Sequence, residues 1–292
     1  MKSIEAQHGL LVARATGIYS FSHLTFHEYF AAREIVANSA WERLAEHITE
    51  KRWREVFLLT TGMMRKADEL MQLMKQKVDS LVPIDNKLQQ FLEWVNQKAN
   101  SLNTPNKLAA VRASYFEIYG KGSFLVSVNK DKVVVVSILF ASIEKVKNYQ
   151  ELFLPVEMLI DNLIFYLIDS PLDVGSSYKV LSIVLQNIKS NNKLQQLIQE
   201  FQNKLPGLDE NDEVLQDWVI YDKWVWTEQL RAVMIEHRNI GHDWQFTDTQ
   251  KELLQQYYDA NKLLVDCLNS DCYVSREVRQ EIEDTLLLPA RR

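Results

Sequence analysis

Glycine and proline are scarce, at eight and six in 292 residues. Glycine supplies the positive φ of tight turns and proline their fixed φ, so a many-turned β-sandwich needs both in number. Their scarcity points instead to long helices with short connections. Cysteine is scarcer still. Cys267 and Cys272 are the whole complement, too few for a disulfide framework, and a reducing cytoplasm is the expected compartment. Long apolar runs are missing too: the longest lies around residues 133–141, far below the ~20 residues that cross a bilayer. The first ten residues lack the apolar stretch of a signal peptide. Excess positive charge is also absent. The formal net charge is −6, and Lys51, Arg52 and Arg54 form only a small cluster. Nucleic acid, which selects a dense Lys/Arg face, is not an expected partner, and neither is a membrane.

The signatures of several chemistries are missing as well. The eight glycines provide no loop ending in Gly-Lys-Ser/Thr, whose backbone N–H groups would cradle phosphates. No Gly-x-Ser-x-Gly elbow and no His-Glu-x-x-His helix occurs. No catalytic residue is expected.

What is present is helical periodicity. Phe26, Tyr29, Phe30 and Ala37 recur on one face, as do Trp41, Leu44 and Ile48, then Trp53, Val56, Phe57 and Thr60. Leu70, Met74, Val78 and Leu81 mark a fourth helix, Leu88, Phe91, Leu92 and Val95 a fifth, and Leu108, Val111 and Tyr115 a sixth. Three capping boxes are expected, at Thr25-x-x-Glu28, Ser39-x-x-Glu42 and Thr247-x-x-Gln250, each pairing a hydroxyl with a free backbone N–H. Six helices with short connections imply stacked antiparallel pairs. Residues 123–137 differ: two β-branched runs flank the polar Asn129, Lys130, Asp131 and Lys132. They read either as a small β-hairpin or as a buried helix of poor propensity, and the helical surroundings favour the helix. The second half resumes with helical stripes at Leu159–Leu167, at Leu181–Ile188, at Leu194–Phe201, at Leu230–Met234, at Leu254–Leu268 and at Val278–Leu286. Trp53, Trp94, Trp218, Trp224 and Trp226 mostly sit in apolar stripes and are expected in the core. The expected fold is all-α, stacked antiparallel helices in two helical domains.

One stretch is specific enough to carry a resemblance. Gly17-Ile18-Tyr19-Ser20-Phe21-Ser22-His23-Leu24-Thr25-Phe26-His27-Glu28-Tyr29-Phe30-Ala31-Ala32 resembles the end of the winged helix in NACHT-type STAND ATPases, the family that includes animal NLR receptors. The shared pattern is Phe-x-His followed by Phe-x-Glu-Tyr-Phe-x-Ala. Arg52–Leu58 and Val111–Phe116 are similar to the helical region that follows in bacterial members. His237–Pro289 looks like their Cys/His-containing C-terminal domain. The resemblance implies a winged-helix remnant over 1–38, a helical domain over 39–145 and a C-terminal helical domain over 146–292. It implies a non-catalytic regulatory, sensing and protein-interaction region of a defence-type signalling ATPase, acting with an upstream NACHT core in cis or in trans. His23 then corresponds to the winged-helix histidine that contacts the phosphate of bound ADP, in a complete receptor only. No cofactor is expected in this chain itself.

Two further readings concern the C-terminal third. His237, His242, Cys267 and Cys272 supply two nitrogens and two sulfurs, a composition zinc accepts. Each pair is spaced i, i+5, roughly 140° apart on a continuous helix, so a buried polar cluster is favoured over metal or a redox pair. Arg238-Asn239-Ile240-Gly241-His242 resembles the arginine–histidine motif of HEPN ribonucleases, but three residues separate the pair, one short of that motif's minimum. A structural pair of His242 with Asp243 is favoured instead. The alternatives to the regulatory reading are thus a stand-alone helical scaffold or adaptor acting in trans, and a divergent HEPN-like ribonuclease.

Overall fold

The computed structural model describes residues 10–82, 85–119, 124–129, 132–146, 154–169, 172–188, 192–207, 210 and 212–289. The architecture is mainly α with small hairpins, and the backbone contacts divide it into two compact units.

The first unit comprises Met1–Gln89 and Glu252–Arg292. It opens with an antiparallel hairpin of β1 (Leu11–Ala15) and β2 (Ile18–Phe21), in register Leu11 with Phe21 and Ala13 with Tyr19. Gly17 carries the turn at φ +77, a conformation that costs glycine nothing. Helix α1 (Leu24–Ala37) packs on α3 (Arg54–Met63), and α2 (Trp41–Ala45) packs on α4 (Asp68–Asp79). The apolar spacing read from the sequence becomes a core of Leu44, Phe57, Leu70, Met71, Met74 and Val78. The C-terminal part of the unit joins α3 and α4 through backbone and side-chain hydrogen bonds. Ala67 N–H donates to the Tyr273 carbonyl at 2.9 Å, and Ser275 N–H donates to Asp68 Oδ1 at 2.7 Å.

The second unit is Gln90–Lys251. Its boundaries fall inside α5 (Asn86–Asn100) and α13 (Asp248–Leu268). Helix α6 (Leu108–Tyr119) is buried along ten consecutive residues from Ala109 to Ile118, so its weak one-sidedness marks a central helix rather than a surface one. Around it lie the hairpin β3 (Phe124–Asn129) and β4 (Lys132–Ser137), then α7 (Ile138–Ile143) and α8 (Val156–Asp169). Helices α9 (Val174–Asn187) and α10 (Asn192–Asn203) follow, and α9 packs on both α8 and α10. A rod of α11 (Asp212–Asp217), a π-helical turn (Trp218–Asp222) and α12 (Lys223–Arg238) completes the unit. These units interleave in sequence, and the consecutive division at 1–38, 39–145 and 146–292 remains a proposal about sequence modules.

Several expectations change here. Helix favoured over 123–137 gives way to a hairpin, with Phe124 paired to Ser137 and Asn129 to Lys132. Four successive valines, Val133–Val136, lose χ1 freedom in a helix and fit an extended backbone. Of the three capping boxes one forms. Thr247 N–H donates to Gln250 Oε1 at 3.0 Å, and Gln250 N–H donates to Thr247 Oγ1 at 3.2 Å. At Thr25 the helix starts two residues earlier than a Thr25 cap would place it, with His23 at the cap and no side-chain cap bond. At Ser39 the cap is Ala40, and Ser39 takes a left-handed φ of 52. Two caps were not expected: Asp173 Oδ1 accepts from Ser176 N–H at 2.7 Å, and Asp85 Oδ1 accepts from Lys87 and Leu88 N–H. Among the tryptophans, Trp94, Trp218 and Trp226 are buried, Trp53 is half-buried and stacked on His47, and Trp224 is exposed.

Candidate functional site

His23 lies at the cap of α1 with extended backbone (φ −129, ψ 144), and its ring is exposed, tilted 5.9 Å from Phe26. Little of the surrounding surface is hidden. Ile18 is 60% and Leu24 69% exposed, and Ala32 is the one buried residue of α1. The histidine stands beside apolar side chains of this hairpin and helix that are exposed among the described residues.

The Cys/His set is dispersed. Among the described residues no three His, Cys, Asp or Glu side chains converge on a point that suits a metal ion. His237 and His242 belong to the second unit, and Cys267 and Cys272 to the first. His242 Nε2 lies 2.5 Å from Asn239 Oδ1, and Cys272 donates to the Cys267 carbonyl at 3.2 Å. Burial raises the Cys267 thiol pKa, which leaves a small inert side chain rather than a reactive thiolate. The expected pair of His242 with Asp243 is replaced. Asp243 Oδ1 instead accepts from Gln245 N–H at 3.0 Å.

Arg238 and His242 do not share a helix. Helix α12 stops at Arg238, where Asn239 enters the left-handed region (φ 54, ψ 43) and Ile240 N–H returns to the Met234 carbonyl at 3.3 Å. Asn239 N–H also returns to the Ile235 carbonyl at 3.0 Å, the αL type of helix stop. Gly241 follows at φ +96, with Arg231 Cγ 3.4 Å from where a Cβ would stand. The two side chains therefore take separate roles. Burial and Lys98 lower the His242 pKa and favour its neutral ring.

Arg238 instead joins a buried hub that sequence reasoning missed. Asp161 on α8 is fully buried and pairs with Arg238 Nε on one oxygen and Lys98 Nζ, at 2.8 Å, on the other. Tyr115 Oη donates to the same second oxygen at 2.7 Å, and Lys98 also donates to the Arg238 carbonyl at 2.8 Å. Burial, then the Asp161 charge, pushes the Tyr115 hydroxyl well above its ordinary range, so it remains a donor. Attraction to Asp161 raises the Arg238 pKa against the opposing effect of burial. Trp94 seals the hub and donates its indole N–H to the Asn239 carbonyl at 2.9 Å, while Tyr119 Oη accepts from Gly241 N–H at 2.9 Å. Helices α5, α6, α8 and α12 are thereby held at one point, with each charge of the hub paired. The only sequence signal was an aspartate inside the apolar stripe of α8, where a charge must have partners.

A cleft of about 260 Å³ in the first unit is lined by Glu50, Lys51, Arg54, Asp259 and Asp266, among others. Its charges cancel in pairs: Lys51 lies 3.3 Å from Asp259 and Arg54 3.1 Å from Asp266. No nucleophile with an adjacent base stands in it. No helix among the described residues is long and apolar enough to cross a membrane.

Comparison with known proteins finds two family models along this chain. Residues 1–35 match the winged helix-turn-helix domain C-terminal to NACHT, and residues 194–289 match NACHT C-terminal helical domain 2. No curated protein and no solved structure matches the chain.

Proposed function

Because the chain is a NACHT-associated C-terminal region, carrying the winged-helix and helical modules that stand beyond a NACHT domain, we propose that it is the non-catalytic regulatory and interaction part of a NACHT-family signalling ATPase. The matched modules are accessory to the nucleotide-binding core rather than the core itself. The observation that carries the proposal is the apolar side chains of β2 and α1 exposed among the described residues, Ile18, Leu24, Tyr29 and Phe30. Several large apolar side chains exposed on one hairpin and helix suit a contact site. The proposed occupant is the NACHT core with its share of the winged helix, in cis or in trans. His23 sits beside these side chains, where an imidazole adds a charge-assisted bond to a phosphate held by the core. Sensing then passes through the helical modules, without turnover in this chain.

The test is association with a separately produced, ADP-loaded NACHT core, read by size-exclusion chromatography and calorimetry. Complex formation is expected, with loss in an Ile18→Asp, Leu24→Asp variant that retains its thermal midpoint. His23→Ala should weaken ADP retention by the complex. Absence of any complex overturns the proposal, and ADP binding by the chain alone overturns the role given to His23.

A further inference from the structure

The rod of α11, the π turn and α12 turns one set of aromatic residues inward and another outward. Trp218 and Trp226 are buried with rings 5.9 Å apart, and Trp226 donates its indole N–H to the Phe201 carbonyl at 3.0 Å. Eight residues apart on an unbroken α-helix, they would diverge by roughly 80°. The wider i→i+5 turn at Trp218–Asp222 takes up part of that difference and keeps both on the core side. Its other consequence is outward. Ile220, Tyr221 and Trp224 are exposed by 66%, 71% and 72%, and Val219 and Val225 are exposed beside them. These side chains do little for the core.

The charged residues of α11 and the π turn are all acidic. Glu213, Asp217 and Asp222 are exposed. They run in one row up the rod, four residues apart within α11 and five across the π turn. None of the three carries an ion pair among the described residues. The basic residue within the segment is drawn away: Lys223 Nζ donates to the Leu172 carbonyl at 2.7 Å, and burial lowers its pKa. Arg231, further along, is engaged by Glu228 at 3.0 Å and by the Gly241 carbonyl at 2.8 Å.

We infer that this face docks a basic amphipathic helix of a partner protein, its apolar side over Ile220, Tyr221 and Trp224 and its lysines or arginines along Glu213, Asp217 and Asp222. The acidic row selects the occupant. A second copy docking face to face would set the row against itself, since a two-fold contact repeats one patch on both sides. An anionic membrane and nucleic acid are repelled by the same row. The neighbours along the rod are helical and offer no open strand edge, so the partner's fitting element is a helix, read through anchors one turn apart. This deepens the interaction-module reading but uses a different surface from the N-terminal face.

The test is fluorescence anisotropy of a dye-labelled amphipathic leucine–lysine peptide titrated with the full chain. Ile220→Ser, Trp224→Ser should weaken binding about tenfold, as expected for loss of central apolar anchors. Asp217→Lys, Asp222→Lys should weaken it comparably and remove most of its salt dependence. The residues are exposed, so both variants should keep the wild-type thermal midpoint. A leucine–glutamate peptide of the same apolar face should not bind. Equal binding by wild type and Ile220→Ser, Trp224→Ser overturns the inference, as does equal binding of the glutamate peptide, or self-association in sedimentation that Trp224→Ser abolishes. The Ile18→Asp, Leu24→Asp variant should bind the lysine peptide normally, so loss of the NACHT-core complex and loss of this site are read separately.

Discussion

Each unit contains an aspartate held between two cations, and the two triads differ in burial. In the first unit Asp266 accepts from Arg54 at 3.1 Å and Lys262 at 2.9 Å, with about half of Arg54 and a third of Lys262 in solvent. In the second unit Asp161 sits between Lys98 and Arg238 with no exposure at all. Water screens the first triad and competes for its members. The Asp161 carboxylate has no solvent contact of its own, and Tyr115, the Arg238 carbonyl and the Glu157 carbonyl complete the hydrogen bonding of the group. The same residue types thus make a surface trim in one place and an architectural joint in the other.

Removing the central carboxylate tests the contrast most severely. Asp161→Ala leaves the buried Lys98 and the half-buried Arg238 without their counter-charge and should cost about 3–5 kcal/mol in urea unfolding. A loss below about 1 kcal/mol would mean that water reaches the hub and that the two triads are alike. Tyr115→Phe removes one donor to the charged oxygen and keeps the ring beside Lys98, so the expected loss is about 1–2 kcal/mol. Asp266→Ala should cost no more than about 1 kcal/mol, and less as salt is added. If salt weakens the Asp161 contribution as strongly as that of Asp266, the difference in burial has no energetic meaning.

The helical class was legible because the signal is collective: Leu70, Met74 and Val78, or Leu88, Leu92 and Val95, repeat often enough for one face to be certain. So was the winged-helix stretch around His23, whose residue pattern matched in both sequence and family model. What escaped was set by long-range partners. Asp161 reads as an oddity in an apolar stripe until α5 and α12 bring Lys98 and Arg238 to it. Trp224 and Trp226 are two apart with one character, yet a π turn just before them belongs to neither propensity nor periodicity. Val133–Val136 carried the right local signal, and the helical surroundings were the misleading guide. The Cys/His set suggested zinc by composition alone, which says nothing about convergence.

Capping gives the smallest and sharpest comparison, since two boxes of similar sequence had different fates. Thr247-x-x-Gln250 closes in both directions, and its hydroxyl satisfies one of the N–H groups left free at the start of α13. Thr25-x-x-Glu28 does not, because α1 begins at Leu24 and places Thr25 inside the first turn. A threonine there has no free N–H ahead of it in the geometry that a cap requires. Thr247→Ala should therefore lower stability by about 1 kcal/mol, while Thr25→Ala should change it by no more than a few tenths. Thermal unfolding of the two variants side by side decides the matter. Equal losses would move the start of α1 to Thr25 and free His23 from the cap position, altering the surface offered to a phosphate. A loss at Thr247 alone fixes His23 as the residue that leads into α1, with its ring at the edge of the face proposed to meet the NACHT core.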